Sequence, residues 1–332
     1  MDLQDYRALR DGAGVVVRSD RGLIAVAGAD RRTWLHGLVT NDVAALTPGT
    51  GCYAAWLTAQ GRFITDMTVN ELGDLLLVDL HVSVKDTVLE KLAAFVFAED
   101  VQLGDVTGSF ASVGVHGREA ASVLGMVFGG ARAAGLAAFA PHQNARLPFE
   151  GEAAIVVRDD ELGVIGFTVY VDATRVDQLT RALAEAGARR VSADVADIVR
   201  LESGKPAFGS DMDEDIIPLE AGIESRAISF TKGCYPGQEV IIRVLHRGGG
   251  RVVKKLVGLT LEGSQVPCAA TTLMAGEKEV GRVTSAAMSP AVGHPIALGY
   301  VHRDFMEPGT KVQAVLGDHR TTATVTALPF VE

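Results

Sequence analysis

The segment TKGCYPGQEVIIR (231–243) holds the cysteine of this chain whose surroundings point most clearly to chemistry. Cys234 follows Lys232 and Gly233 and precedes Tyr235 and a Pro-Gly pair, whereas a core cysteine sits inside an apolar run. Pro236 fits the first turn of a helix, where a missing N–H costs nothing. The spacing therefore predicts a helix over GQEVIIRVLH, with Glu239 and Arg243 one turn apart. Cys234 would lie just ahead of that helix, where the partial positive charge and the Lys232 ammonium favour a thiolate. Gly233 and Gly237 leave room for another group to approach the backbone. Two readings stand: a reactive thiol supported by Lys232, and a cysteine that fills a turn.

Around the cysteine, Arg226, Lys232, Arg243, Arg247, Arg251, Lys254 and Lys255 are opposed only by Glu239 across residues 226–255. They form either a solvated basic face or an anion site, with Arg226 among its members, for a carboxylate-rich ligand or an acidic partner. Other motifs are weaker. Gly12-Ala13-Gly14 has no third glycine and no strand ahead of it, so a dinucleotide loop is rejected. Asp211, Asp213 and Asp215 alternate as in a calcium loop, but Ile216 and Gly222 stand where that loop needs Gly and Glu. No metal site is expected.

The bulk of the sequence bounds the rest. A chain of 332 residues exceeds one ordinary core. The formal net charge of −10 argues against a nucleic-acid footprint. The three cysteines are far apart, odd in number and in no C-x-x-C pattern, which argues against a disulfide framework or a structural zinc site. The polar start MDLQDYRALRDG and short apolar runs such as LLLVDL (75–80) give neither a leader nor a membrane span, so a cytoplasmic protein is expected.

The elements that must position these residues follow from periodicity. GLIAVAG (22–28) reads as a strand, and Trp34, Leu35 and Leu38 have helical spacing. Strands over 53–57 and 63–69 flank a turn at Ala59-Gln60-Gly61. LLLVDL is a strand, followed by a helix capped by Ser83. In the middle, strands at 111–115, 153–157 and 163–171 alternate with helices at 117–124 and 174–186, and Arg190 to Ser192 can return to the sheet. This order gives a ferredoxin-like layout. The stretch 126–150 reads as a loop or insert. A further helix begins at Ser192. After Gly248-Gly249-Gly250, short strands at 252–261, 280–284, 296–301, 312–316 and 321–327 predict a small β-barrel.

K-G-C-Y-x-G-Q-E (232–239) resembles the signature of the YgfZ-type folate-binding proteins, relatives of the glycine cleavage T-protein, an aminomethyltransferase. The likeness covers nearly the whole chain. Residues 22–69 resemble the family's N-terminal block, RLESGKPAFGSDMDEDIIPLEAGIE (200–224) its central block, and VGRVTSAAMSPAVGHPIALGYV (280–301) its barrel block. The resemblance implies an α+β fold of three subdomains in a cloverleaf. A folate-binding region spans 1–247, with an N-terminal block (1–105) and a central segment (192–247) around a ferredoxin-like middle part (106–191). A C-terminal β-barrel spans 251–332. It implies tetrahydrofolate as cofactor, held against Asp66 and Tyr53, which match the family's aspartate and tyrosine.

The implied function is support of iron–sulfur cluster assembly or repair in selected enzymes, including a tRNA-thiolating one. Iron–sulfur proteins or their assembly machinery would be the partners, with no membrane. The alternatives are an aminomethyltransferase forming methylenetetrahydrofolate and a folate scaffold without chemistry. The transferases carry a pterin-binding glutamate where this chain has Thr168, and an arginine where it has Ala196. These two departures weigh against aminomethyltransferase activity.

Overall fold

The computed structural model describes residues 2–130, 133, 135–246 and 249–331. Arg247 and Gly248, which belong to the expected basic stretch and linker, lie outside the described residues. The chain divides into two compact units. One comprises Met1–Thr58, Ile64–Ala196 and Arg226–Pro236; the other comprises Ala59–Phe63, Asp197–Ser225 and Gly237–Glu332.

The first unit contains two sheets. In chain order its elements begin with α1 (Leu3–Arg10), β1 (Gly14–Arg18), β2 (Arg21–Ala27), α2 (Arg31–His36), β3 (Thr50–Leu57), β4 (Phe63–Glu71), β5 (Leu76–His81) and α3 (Lys85–Ala93). They continue with β6 (Gln102–Asp105), β7 (Phe110–His116), α4 (Ala120–Phe128), β8 (Asn144–Phe149), β9 (Glu152–Asp159), β10 (Gly166–Asp172), α5 (Val176–Glu185) and β11 (Arg189–Arg190). Helix α6 (Ala193–Glu202) follows. The five-stranded sheet runs β3-β4-β5-β2-β6 and the six-stranded sheet β11-β1-β7-β10-β9-β8.

Both sheets follow from two-residue alternation, which sends successive side chains to opposite faces. Val113 and Val115 of β7, with Phe167 and Val169 of β10, pack against Val123 and Leu124 of α4 and Leu179 and Leu183 of α5. Ile24, Val78, Met67 and Trp56 of the other sheet pack against Leu35 of α2 and Val88 and Leu92 of α3. The faces turned away from the helices meet each other through Leu23, Leu77, Ile155, Val157 and Tyr170. The alternate positions left on those inner faces are where charged side chains collect.

The middle of the chain has the expected ferredoxin-like strand order with two additions, β1 and β8. β1, from the N-terminus, is inserted between β11 and β7, parallel to the first and antiparallel to the second. Gly117 makes this approach possible. It has φ 116°, and a Cβ there would stand 2.4 Å from the Gly12 carbonyl oxygen. The stretch expected as an insert at 126–150 instead contains the end of α4 and strand β8, which pairs with β9.

The second unit carries α7 (Pro218–Ala221), and α8 (Glu224–Ala227) crosses from it into the first unit's last segment. It also holds α9 (Gln238–His246) and a closed barrel. The barrel strands are β12 (Lys254–Leu261), β13 (Thr272–Ala275), β14 (Lys278–Met288), β15 (Pro295–His302), β16 (Lys311–Leu316) and β17 (His319–Thr326). Their order is β12-β15-β14-β13-β16-β17, with β17 closing on β12. The short β13 carries no strong alternation, and the strand pattern alone misses it. Inside this unit Asp211 is a hub. It accepts from Arg200 at 2.8 Å, Thr284 at 2.5 Å and Ser285 at 2.7 Å, so its carboxylate is spent on packing the barrel.

Candidate functional site

In the first unit the inner face of the five-stranded sheet presents Tyr53 on β3 and Asp66 on β4. The Tyr53 hydroxyl donates to Asp66 Oδ2 at 2.6 Å. Oδ1 of Asp66 is buried and has no hydrogen-bond partner among the described residues. The Arg226 guanidinium lies over the Tyr53 ring, 4.4 Å from its centroid, in the range of a cation–π contact. The structure therefore brings together Tyr53, Asp66 and Arg226, residues scattered over the sequence. Burial raises the Asp66 pKa, against the opposing pull of Arg21, the Tyr53 hydrogen bond and Arg226. Burial and the adjacent Asp66 charge push the Tyr53 phenol well above its ordinary value. The result is a carboxylate with a fixed orientation, one oxygen unpaired, and a raised proton affinity.

A second charged group stands between the two sheets. Arg21 of β2 donates to Asp79 Oδ1 at 2.6 Å, and Tyr170 of β10 donates to Asp79 Oδ2 at 2.5 Å. Asp79 thus joins the inner faces of both sheets. Arg18 of β1 binds both oxygens of Glu161, at 2.7 and 2.9 Å, and both oxygens of Asp20. Burial acts to raise the Glu161 pKa, but the charge and hydrogen bonds of Arg18 outweigh it and hold Glu161 well below the usual carboxylate range. None of Arg21, Asp79, Tyr170, Arg18 or Glu161 is singled out by motif reading. The available signal was a charged residue placed within or beside an apolar strand, Asp79 in LLLVDL and Arg21 before GLIAVAG, since a buried charge requires a partner.

Thr168 lies on the same inner face of β10, and its hydroxyl donates to the Asp159 carboxylate of the neighbouring β9. The position that lacks an acidic side chain in the sequence therefore has a carboxylate beside it, supplied by the next strand. His116 is buried over Gly114 and Gly166, where a Cβ would stand 2.5 and 2.1 Å from its ring nitrogens. Neither ring nitrogen has a hydrogen-bond partner among the described residues.

The TKGCYPGQE segment differs from its expected arrangement. Helix α9 begins at Gln238 rather than next to Pro236, because Gly237 takes φ 81° and interrupts the turn. Cys234 is exposed. The Lys232 ammonium does not serve as the cysteine's partner. It donates to the carbonyls of His36, Val39 (2.5 Å) and Asn41 (3.3 Å) and lies over the Tyr235 ring. Burial lowers its pKa to about 8. The thiol within its electrostatic reach is Cys52, which burial pushes up to about 12. Lys254, another cation of the expected basic stretch, lies over the ring of Tyr300 within the second unit.

The geometry has its counterpart in comparison with known proteins. The chain belongs to the glycine cleavage T-protein family: the model of the GCVT N-terminal domain matches residues 2–232, and that of the glycine cleavage T-protein C-terminal barrel domain matches residues 254–332. The family takes tetrahydrofolate as substrate or cofactor. Among similar proteins, the aminomethyltransferase of Rubrobacter xylanophilus is 31% identical over 326 residues, 98% of this chain and 85% of that protein. The aminomethyltransferase of Bacillus subtilis is 28% identical over 98% of this chain and 90% of its own length. The crystal structure of glycine cleavage system aminomethyltransferase T from Bartonella henselae superposes with a TM-score of 0.89, at 22% identity, over 99% of this chain and 89% of that one. This establishes the T-protein fold, an α+β fold with the C-terminal barrel that the sequence implied.

These relatives overturn one expectation. Thr168 and Ala196 weighed against aminomethyltransferase activity, yet proteins bearing that name match nearly the full length of the chain. The absence of an acidic side chain at Thr168 does not leave that place without a carboxylate, because Asp159 of the next strand accepts from the Thr168 hydroxyl. No helix among the described residues is long and apolar enough to cross a membrane.

Proposed function

We propose that this protein is a tetrahydrofolate-dependent aminomethyltransferase, receiving a one-carbon unit from a carrier-bound aminomethyl group. The observation that carries the reading is the Asp66 carboxylate, oriented by Tyr53 through one oxygen while the other is buried and has no partner among the described residues. A carboxylate of raised pKa suits hydrogen bonding to pterin N–H groups and proton transfer at a ring amine. Arg226, lying over Tyr53, supplies positive charge for the acidic portion of folate. The family membership and the relatives' names support this assignment. The test is production of methylenetetrahydrofolate from a lipoyl-bound aminomethyl group by the purified protein. Asp66→Asn should abolish or strongly reduce it, and turnover that persists unchanged in a folded Asp66→Asn variant rules out the role given to Asp66.

A second reading has its own observation. Cys234 is exposed within the K-G-C-Y-x-G-Q-E segment, the pattern that resembles the YgfZ-type proteins. In that reading the protein binds tetrahydrofolate and supports the assembly or repair of iron–sulfur enzymes, with Cys234 as a working thiol. Cys234→Ser should then leave folate affinity intact and fail to restore iron–sulfur enzyme activity in cells lacking their own copy. Full restoration by that variant removes the thiol from any such role.

A further inference from the structure

We infer that Asn41 is the positioning residue of the Arg226–Tyr53–Asp66 group, and that Lys232 locks the turn carrying Asn41. The inference deepens the proposed function, because it takes that group as the folate site. Residues 39–41 run between β3 and the segment 226–232, and they hydrogen bond to both. On one side the Thr40 amide donates to Ala55 at 2.9 Å, and the Ala55 amide donates to Thr40 Oγ1 at 2.8 Å. On the other side Thr40 Oγ1 donates to the Ala227 carbonyl at 2.7 Å, and the Ser229 amide donates to the Thr40 carbonyl at 3.1 Å.

Asn41 makes the connection that matters for the site. Its Nδ2 donates to the Tyr53 carbonyl at 2.8 Å and to the Arg226 carbonyl at 3.1 Å. Its Oδ1 accepts from the Asp42 amide at 2.8 Å, which fixes the plane of the carboxamide. One planar group thus holds the backbone of both members of the cation–π pair. Lys232 gathers the carbonyls of His36, Val39 and Asn41 around one ammonium, closing the turn behind the carboxamide. This accounts for the lysine of the K-G-C-Y segment without any bond to Cys234. A guanidinium on a flexible stem has many alternatives in water, so its backbone anchor decides where it spends its time.

Asn41→Leu removes both N–H donors while keeping the branched outline of the side chain, with a larger volume. In the full-length protein it should weaken tetrahydrofolate binding, measured by calorimetry, by about tenfold, comparable to the loss of one net hydrogen bond. Because Asn41 acts through Arg226, the Asn41→Leu/Arg226→Gln double variant should bind no more weakly than Arg226→Gln alone. A readout free of folate is the ring-current shift of the Arg226 side-chain protons under Tyr53, identified by its loss in Tyr53→Leu. It should collapse in Asn41→Leu and persist in Leu124→Ala, which destabilises the same unit away from this segment. Additive affinity losses, or an unchanged Arg226 shift in folded Asn41→Leu, overturn the inference. Should Asn41→Leu fail to fold, Lys232→Met carries the same two readouts. A wild-type protein that binds no tetrahydrofolate defeats the proposed function instead, and the ring-current comparison still decides the role of Asn41.

Discussion

Asp66 combines a function with a cost. Its side chain is buried, one oxygen has no hydrogen-bond partner among the described residues, and its pKa is raised chiefly by burial. A carboxylic acid whose folded-state pKa lies above its unfolded value binds its proton more tightly when folded. Its ionised form therefore lowers stability at neutral pH, and that penalty disappears in acid. Asp66→Asn should raise the melting midpoint at pH 7, with the gain vanishing below about pH 4, the ordinary aspartate range. Scanning calorimetry across pH checks this, and a midpoint that falls at pH 7 contradicts it. The same variant should weaken tetrahydrofolate binding about ten- to a hundredfold, the range for one lost charge-assisted hydrogen bond of roughly 1.5–3 kcal/mol. Gain in stability with loss of affinity in one variant is the signature of a group held for chemistry.

At the level of elements, the inner-face positions depend on where β1 lies. Arg18 reaches Glu161 because β1 is paired with β7 over Gly14 to Arg18. That pairing requires Gly117, whose positive φ and close approach to the Gly12 carbonyl leave no space for a side chain. Gly117→Ala should destabilise the protein by about 1–3 kcal/mol through the strained backbone and disturb the Arg18–Glu161 pair. A drop of several degrees in melting midpoint is expected, and an unchanged midpoint would mean that β1 tolerates displacement. The inserted strand was not apparent from the ferredoxin-like pattern, because that pattern is complete without it. Five residues near the N-terminus carry too little periodicity to show which sheet they join.

At the scale of the whole molecule, each unit carries its own buried charged centre. In the second unit Arg200 donates to Asp211, Asp197 and the carbonyl of Lys205, and both Arg200 and Asp211 are buried. Arg200→Met leaves the Asp211 carboxylate buried without its cation, a change that costs about 3–5 kcal/mol. Thermal unfolding of the variant measures it, and a loss below 1 kcal/mol would show that Thr284 and Ser285 satisfy Asp211 unaided. The alternation of Asp211, Asp213 and Asp215 in the sequence does not show that Asp211 is buried. Its burial is a consequence of the barrel, which brings Thr284 and Ser285 of β14 to it.

The sequence by itself determined the strands and helices with strong periodicity, the barrel after residue 250, and the family likeness in its local blocks. It determined these because alternation and helical spacing are short-range properties, read within one element. It also set Asp66 and Tyr53 together through the family likeness and singled out Arg226 in the basic stretch. Only the tertiary structure decided that Arg226 joins them in one group, because the hydrogen bonds bringing its segment there join residues 187 and 185 positions apart, Thr40 to Ala227 and Asn41 to Arg226. It likewise decided that Lys232 serves backbone carbonyls rather than Cys234, and that Asp159 stands beside Thr168. A side chain's partner depends on which strands become neighbours, and that choice is made by packing the two sheets, not by the residues adjacent in the chain.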